Sequence, residues 1–366
     1  MPSLNIMLKP ASSACNLNCT YCFYADEAKN RDVESFGMMT AEVSEQIARR
    51  AMEYAYPSCS FCFQGGEPTL RGVDFFRQFT EMVDSFNTRH IRVDYAIQTN
   101  GTLLDEEWIQ LFKEKNFLVG ISMDGIKDIH DQCRKTKDGK GTFQEIMKNC
   151  ILLKKNDIPF NILLVVTQTA SRHAGQIYRF FMKNGFFYQQ YIPCLEPFDS
   201  GPGNQKYSLT AAAYERFLKE LFDVWYLDRS KGTFVYIQYF ENLAGMLQGK
   251  APDVCGMQGI CQKQIVLEAD GSAYPCDFYM LDRYKLGNIC TDSIQDLLAS
   301  ETETEFIRSS LKGLEKCQQC RYAGLCRGGC RRHRESYKNI ASGENRFCTS
   351  YQNFFEYALP RLKTLI

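Results

Sequence analysis

The stretch "ASSACNLNCTYCFYADEAKN" (residues 11–30) carries three cysteines at C-x3-C-x2-C spacing, with an aromatic residue on each side of the last one. Three thiolates are one ligand short of a closed tetrahedral site. Open zinc sites usually include a histidine or a carboxylate, and no histidine is near this stretch. Soft thiolates alone favour an iron–sulfur cluster in which one iron stays open to a substrate. The three cysteines are Cys15, Cys19 and Cys22.

This stretch follows the first of six predicted strands, which alternate with amphipathic helices. Such alternation implies a parallel sheet with right-handed crossovers. Six strands are too few for an eight-stranded barrel, so we predict an α/β fold with a partial (β/α)6 TIM-like barrel. The cysteines then lie at the carboxyl ends of the strands, where barrels build their active sites. The predicted strands are 4–10, 60–66, 93–101, 117–125, 160–167 and 187–194, and the helices between them are 40–55, with Thr40 as N-cap, 72–86, 105–115, 142–156 and 171–184.

Composition limits the class of protein. The chain has 366 residues, and its 43 Lys and Arg equal its 43 Asp and Glu, so no net charge favours nucleic acid or an acidic membrane as a partner. The N-terminal stretch lacks the apolar segment of a secretory signal, and no apolar run is long enough to span a bilayer. Seventeen cysteines, an odd number, indicate metal or cluster ligation rather than disulfides. We therefore expect a reducing, cytoplasmic location.

The pattern changes in the last third of the chain, where glycine, cysteine and short irregular segments follow a long helix predicted at 208–230. We place a domain boundary there, giving a barrel over 1–230 and a small cysteine-rich domain over 231–366 that ends in an amphipathic helix. Eight cysteines of this domain suffice for two fully ligated four-iron clusters, although two all-cysteine zinc sites are the alternative. The eight are Cys255, Cys261, Cys276, Cys317, Cys320, Cys326, Cys330 and Cys348.

Two further features have competing interpretations. The basic run "CRGGCRRHRE" fits RNA binding, but arginines beside anionic thiolate-ligated clusters also balance charge, and we favour that interpretation. Six other cysteines fit neither cluster pattern, and we interpret them as small buried hydrophobic residues. They are Cys59, Cys62, Cys133, Cys150, Cys194 and Cys290.

The cysteine triad and several later motifs resemble those of radical S-adenosylmethionine (SAM) enzymes. "QGGEP" (64–68) is similar to the glycine-rich motif that hydrogen-bonds the SAM amino group in that family, and "QTNG" (98–101) and "SMDG" (122–125) stand where later strand ends contact SAM. The resemblance implies that SAM chelates the open iron and yields a 5′-deoxyadenosyl radical. It also implies SAM contacts from Tyr21, Gly66, Ser122, Arg134, which would pair with the carboxylate, and Leu195 near the adenosine.

The C-terminal cysteines resemble the SPASM domain of radical SAM enzymes that modify peptides and proteins. That resemblance implies three [4Fe-4S] clusters in total. It also implies the ligand partition, which spacing alone does not give. One auxiliary cluster would use Cys255, Cys261, Cys276 and Cys330, and the other Cys317, Cys320, Cys326 and Cys348.

Across the whole chain, stretches such as "CTYCFY", "FQGGEPTL", "YPCDFY" and "GGCRR" resemble anaerobic sulfatase-maturating enzymes. The loop 196–207 diverges, and Ala14 stands where glycine is common. The resemblance implies radical oxidation of a cysteine or serine, in a C/S-x-P-x-R segment of an unfolded sulfatase, to Cα-formylglycine, with Asp277 as general base. It implies a flavodoxin- or ferredoxin-type electron donor, and we expect a monomer. The alternatives are a maturase that forms thioether or carbon–carbon links in another ribosomal peptide, and a non-catalytic iron–sulfur or zinc protein.

Overall fold

The structure is a computed structural model that describes residues 3–198, 203–335 and 343–366. It divides into two compact units, each built from several segments of the chain. The first unit comprises Met1–Ser122, Arg134–Phe160 and Lys263–Phe306, and the second comprises Met123–Cys133, Asn161–Gln262 and Ile307–Ile366. The domain boundary near residue 230 stays a prediction.

Ten strands and thirteen α-helices are formed by the described residues. The strands are β1 (Leu4–Leu8), β2 (Ser58–Phe63), β3 (Arg92–Thr99), β4 (Leu118–Ser122), β5 (Phe160–Val166), β6 (Tyr188–Pro193), β7 (Tyr236–Ile237), β8 (Ile265–Leu267), β9 (Ser272–Tyr274) and β10 (Gly287–Asn288). The helices are α1 (Phe23–Lys29), α2 (Ala41–Tyr54), α3 (Val73–Phe86), α4 (Glu106–Glu114), α5 (Lys127–Cys133), α6 (Phe143–Lys155), α7 (Ala174–Asn184), α8 (Ala211–Ser230), α9 (Gln238–Leu247), α10 (Ile294–Ala299), α11 (Glu301–Ser309), α12 (Ala323–Cys326) and α13 (Cys348–Leu362).

In the first unit, β1 to β4 pair in parallel in sequence order, as the alternation of strands and helices predicts. Several side chains of these strands are apolar and fully buried, among them Ile6, Phe61 and Phe63. The rings of Phe61 and Phe63 pack edge-on against Phe79 of α3, at centroid distances of 5.1 and 5.3 Å. This aromatic core fixes the strands, and hence the loops at their carboxyl ends, against the helices.

The sequence does not predict β8, which adds to the free edge of β1. It pairs in parallel with β1, so that Ile6 lies opposite Ile265, and it pairs antiparallel with β9. Residues 263–306, in the domain that we predicted as separate, therefore extend the sheet of the first unit. The segment after β9 returns to the carboxyl end of β1, where Asp277 accepts a hydrogen bond from Lys9.

The second unit contains the parallel strands β5, β6 and β7 and the long helices α8 and α13. Thr210 caps α8, since its side chain accepts a hydrogen bond from the main-chain NH of Ala213. Rings of the two helices meet: Phe222 of α8 lies 5.9 Å from Phe354 of α13, centroid to centroid, and both are buried. The predicted closing amphipathic helix is thus confirmed as a core element.

The predicted strands and helices between residues 40 and 230 are confirmed with small shifts at their ends. Thr40 is the N-cap of α2, as predicted, and its hydroxyl accepts from the main-chain NH of Val43 at 3.3 Å. The short helices α1 and α5 lie outside the predicted set, because seven residues give too little periodicity to recognise. Among the described residues, no helix has the length and apolar character needed to cross a bilayer.

Candidate active site and cluster centres

The loop that follows β1 carries Cys15, Cys19 and Cys22 and is called the cysteine loop. It contacts the glycine pair after β2, Gly65 and Gly66, through main-chain hydrogen bonds. Gly66 NH donates to the Ser12 carbonyl at 2.9 Å, and Glu67 NH donates to the Ala14 carbonyl at 2.8 Å. A Cβ at Gly66 would stand only 2.0 Å from the Ala14 oxygen, so no other residue fits there. The glycine is thus required by the close approach of the loop that carries Cys15.

Glu67 joins the ends of two neighbouring strands. Its buried carboxylate accepts hydrogen bonds from the Thr99 hydroxyl at 2.7 Å and from the Asn100 main-chain NH at 2.7 Å. Burial raises the pKa of Glu67, and these hydrogen bonds partly oppose that shift. Sequence analysis assigned the "QGGEP" motif to SAM contacts and missed this second role, which only the fold reveals.

Asn100, which follows β3 and bonds Glu67, also contacts the cysteine loop. The Asn100 side-chain amide donates to Asn16 Oδ1 at 2.8 Å and lies 3.9 Å from the Cys15 sulfur. The main-chain NH of Leu17 also points at that sulfur, at 3.4 Å. Burial raises the pKa of the Cys15 thiol to about 11, so thiolate ligation there depends on iron displacing a proton. Such NH donors stabilise sulfur ligands of a cluster.

Two of the predicted SAM contacts, Tyr21 and Arg134, come together. The Arg134 guanidinium lies 5.4 Å from the Tyr21 ring centroid, and its charge lowers the pKa of the Cys22 thiol against the effect of burial. Arg134 is 7% exposed and is therefore no solvated surface charge. A buried guanidinium beside the cysteine triad fits a carboxylate ligand.

Besides Gly66, the remaining predicted SAM contacts are Ser122 and Leu195, which have different surroundings. Ser122 ends β4, and its hydroxyl accepts a hydrogen bond of 3.0 Å from the Gln98 side chain. Leu195 lies in the second unit, buried just after β6. Its neighbour Glu196 is held by Arg332, which donates to the Glu196 carbonyl at 2.7 Å, and by Arg346, 2.9 Å from the carboxylate. The divergent loop 196–207 lies partly outside the described residues.

Asp277, the predicted general base, lies in the first unit and is 8% exposed, so it is not a surface carboxylate. The Lys9 ammonium donates to its Oδ1, and the Gln64 amide donates to its Oδ2 at 3.0 Å. Gln64 directly precedes the glycine pair. The structure thus brings Asp277 to the same strand end as the glycine-rich motif, a placement that the sequence alone could not give.

A second buried ion pair of this unit lies beside Tyr24. The Arg31 guanidinium lies 2.6 Å from the Glu268 carboxylate, and Tyr24 donates to the same carboxylate at 2.9 Å. Ser12 of the cysteine loop also donates to it, at 3.0 Å. Glu268 follows β8, so this network ties the extra strand to the start of the cysteine loop.

In the second unit, three of the predicted auxiliary ligands lie close together. The neighbouring Cys255 and Cys261 thiols add to burial in raising the pKa of the Cys330 thiol to about 12. The charges of Arg331 and Arg334 lower the pKa of the Cys261 thiol, against the effect of burial. Cys276 belongs to the first unit, and its place in this ligand set stays a prediction.

Three of the four arginines in "CRGGCRRHRE" are buried, which opposes RNA binding by this run. Arg331 pairs with Glu335 at 2.6 Å, and Arg334 donates to the Ser310 carbonyl at 2.6 Å. The charges of Arg331 and Arg334 lower the pKa of the thiol of Cys261, a predicted cluster ligand, as the charge-balance interpretation requires. Among the cysteines predicted as small buried hydrophobic residues, Cys290 is exposed and Cys62 is half-buried, so the prediction is wrong for Cys290.

The four cysteines predicted as ligands of one auxiliary cluster line one cavity of about 240 Å³ in the second unit, and their role as ligands stays a prediction. Gly328 enters the left-handed region at φ 83°, and a Cβ there would stand 2.3 Å from Leu314. Gln352, one turn after Cys348 in α13, points its amide at two of the sulfurs, Cys320 at 3.8 Å and Cys348 at 3.7 Å. Gln352 was not predicted from the sequence, although it stands four residues after the predicted ligand Cys348 and therefore on the same face of the helix. The four cysteines are Cys317, Cys320, Cys326 and Cys348.

The donor sets fit iron–sulfur clusters. All the candidate ligands are thiols, and amide NH groups point at the sulfurs of Cys15, Cys320 and Cys348. In the described part of the chain, no group of three or more His, Cys, Asp or Glu side chains is placed to hold a single metal ion.

Comparison with known proteins agrees with these features. The radical SAM superfamily matches residues 10–180, and an iron–sulfur cluster-binding domain, SPASM, matches residues 255–321. The chain is 48% identical to the cysteine-type anaerobic sulfatase-maturating enzyme of Clostridium novyi, over 99% of this chain and 97% of that one. It is 31% identical to the serine-type enzyme of Bacteroides thetaiotaomicron, over 98% and 90%.

A solved structure is similar over the same length. Native anSMEcpe with bound AdoMet and Cp18Cys peptide has a TM-score of 0.95 and 44% sequence identity, covering 100% of this chain and 99% of that one. The predicted fold class, a partial barrel followed by a cysteine-rich SPASM domain, is thereby confirmed.

Proposed function

Because this chain belongs to the anaerobic sulfatase-maturating enzymes, a family of radical SAM enzymes, we propose that it oxidises a cysteine of a sulfatase peptide to Cα-formylglycine. The family's cofactors are [4Fe-4S] clusters and SAM. When bound, they supply a 5′-deoxyadenosyl radical that takes a hydrogen from the substrate Cβ. The observation that carries the proposal is the position of Asp277 beside Gln64, at the strand end that bears the glycine pair.

Each part of the reaction has a candidate group in this chain. Cys15, Cys19 and Cys22 would hold the cluster to which SAM binds, with Arg134 on its carboxylate. Asp277 would take the proton of the substrate thiol, as a general base must from hydrogen-bond distance. After loss of the Cβ hydrogen atom and the thiol proton, the substrate would give its remaining unpaired electron to an auxiliary cluster held by the C-terminal cysteines. Water would then hydrolyse the thioaldehyde to the aldehyde, and the sulfur would leave as hydrogen sulfide. We further propose that these cysteines hold two clusters, giving three in the protein.

The preference for cysteine over serine rests on relatedness. The cysteine-type relative is 48% identical to this chain, and the serine-type relative is 31% identical. The match over nearly the full length of these relatives favours sulfatase peptides over other ribosomal peptides as substrate. A low-potential flavodoxin or ferredoxin as donor, a monomeric state and a cytoplasmic location complete the proposal.

The test is anaerobic. The protein is reconstituted with iron and sulfide, then given SAM, dithionite and a peptide carrying C-x-P-x-R, with the S-x-P-x-R peptide as the matched substrate. Mass spectrometry reads the peptide, and chromatography reads 5′-deoxyadenosine. We expect aldehyde at the cysteine and less at the serine. Deoxyadenosine with both peptides untouched would leave a radical SAM enzyme with another substrate and refute the proposed reaction.

A further inference from the structure

Lys9 is a fully buried lysine, with 0% exposure, at the carboxyl end of β1. Its ammonium pairs with Asp277 and lies 4.7 Å from the centroid of the Tyr24 ring. A buried charge is costly unless it is paired, so Lys9 needs the Asp277 anion. Gly65 makes room for this side chain, because a Cβ there would stand 3.1 Å from Lys9 Cδ.

Resting on the proposed function, we propose that Lys9 is a positioning residue for the general base. It fixes the Asp277 carboxylate from one oxygen, while Gln64 fixes the other. It also supplies the positive charge that remains in the site when the substrate is deprotonated. The proton passes from the substrate sulfur to Asp277, the negative charge passes from the carboxylate to the sulfur, and the Lys9 ammonium exchanges one counter-ion for the other.

The balance of charge explains why a cation is needed there. If Asp277 became neutral next to a lone thiolate, the site would hold an unpaired buried anion, which is strongly disfavoured. With Lys9 present, the single anion of the site has a buried cation beside it both before and after proton transfer. Lys9 therefore favours thiolate formation by attraction through a low-dielectric site.

The same two charges act on a thiol of the chain itself, that of Cys62. Burial raises the pKa of the Cys62 thiol on β2 to about 11, the Lys9 charge opposes that shift, and the Asp277 charge adds to it. Among the described residues, the titratable groups beside the Lys9 ammonium include Asp277, Cys62 and Tyr24.

The chain offers a matched control in Arg31. It is also buried, its guanidinium lies 5.5 Å from the same Tyr24 ring, and it pairs with Glu268, a carboxylate of the same segment. Arg31 differs from Lys9 in that its carboxylate partner is Glu268 rather than Asp277. Loss of a buried cation is common to Arg31→Met and Lys9→Met, but only Lys9→Met removes the partner of the base.

The experiment measures aldehyde and 5′-deoxyadenosine for the reconstituted wild type, Lys9→Met, Lys9→Arg and Arg31→Met, across pH 6 to about 9 around the free thiol pKa. For Lys9→Met we expect about 100-fold less aldehyde per deoxyadenosine and a rising limb of the pH profile moved to higher pH. Lys9→Arg keeps the positive charge and should recover part of the wild-type yield of aldehyde per deoxyadenosine. Arg31→Met should keep the wild-type ratio and profile, even if less protein folds.

A double variant covers the case in which Lys9→Met does not fold. Lys9→Met/Asp277→Asn leaves no unpaired buried charge, and we expect it to make no less aldehyde than Asp277→Asn alone. An additive loss in this double variant, or a wild-type ratio and pH profile in Lys9→Met, would overturn the role of Lys9. Absence of aldehyde from the wild type itself would instead refute the proposed function.

Discussion

The Gln64 side chain donates a hydrogen bond of 3.0 Å to Asp277, a residue 213 positions later in the chain. The bond joins the end of β2, where the glycine pair begins, to the segment after β9. It places a carboxylate with two polar partners at the edge of the candidate SAM site. From this relationship we expect Asp277 to act on the substrate.

The first prediction is that Asp277→Asn lowers aldehyde formation at least about 100-fold, because an amide cannot take the thiol proton. Iron content and 5′-deoxyadenosine formation should persist, since the cysteine triad and the Gly66 contacts are untouched. Anaerobic assays of both products, with iron analysis, check this. The matched control is Asp282→Asn, an exposed carboxylate of the same segment, which should leave both products unchanged. Normal turnover by Asp277→Asn would remove the assigned role.

The second prediction concerns the close approach of the cysteine loop to the glycine pair. In Gly66→Ala the new Cβ would meet the Ala14 carbonyl oxygen at 2.0 Å, and main-chain atoms cannot move aside cheaply. We expect the variant to lose SAM binding and the iron of the triad cluster, about one third of the total. Gly324→Ala, where no heavy atom lies within 4 Å, is the control and should keep its iron. Full SAM binding by Gly66→Ala would show that the loop adapts.

Periodicity predicted the long helices and the parallel strands because each pattern is local. The helix α3 is one example: its buried residues recur along one face within 14 residues. The strand β8 was missed because it has three residues and gains its stability from β1, more than 250 positions earlier. A run of three apolar residues carries no period of its own.

The candidate active site was also predictable only where its residues form local motifs, and not where contacts join distant parts of the chain. The sequence proposed the cysteines and Asp277 through resemblance, but it gave no reason to single out Lys9, which as a lysine would ordinarily be exposed. Only its partner Asp277 explains its burial, and that pair spans 268 positions. Asn100 and Glu67 stood within quoted motifs, yet their bond to each other follows from strands that lie side by side.

The third prediction concerns the cavity that Cys317, Cys320, Cys326 and Cys348 line. The Gln352 amide points at two of these sulfurs, and donors to sulfur stabilise the more negative, reduced state of a cluster. We therefore expect Gln352→Leu to lower the midpoint potential of one auxiliary cluster without loss of iron. Redox titration followed by electron paramagnetic resonance measures it. The control is Asn353→Leu, since Asn353 instead donates to Glu215, at 2.7 Å. Equal potentials in the two variants would contradict the prediction.

The fourth prediction concerns Glu303, a fully buried residue of α11. Burial raises its pKa to about 7, and the Gln264 main chain and the Lys263 charge offset only part of that shift. Because the folded pKa exceeds the unfolded value of 4.5, the native state binds more protons than the unfolded state between these values. This residue therefore makes the protein less stable as pH rises from about 4.5 to 7, and the full cost is present above pH 7.

Glu303→Gln removes the ionisation and should stabilise the protein at pH 8, by about 3 kcal/mol at most, with a smaller gain at pH 6. Thermal unfolding of the reconstituted protein gives the rise in midpoint temperature that Glu303→Gln causes at each pH. We expect a larger rise at pH 8 than at pH 6. Glu301→Gln is the control, because Glu301 is exposed at the start of the same helix and its removal should have an effect that does not depend on pH. A gain in Glu303→Gln that is equal at pH 6 and pH 8 would mean that Glu303 does not titrate in this range.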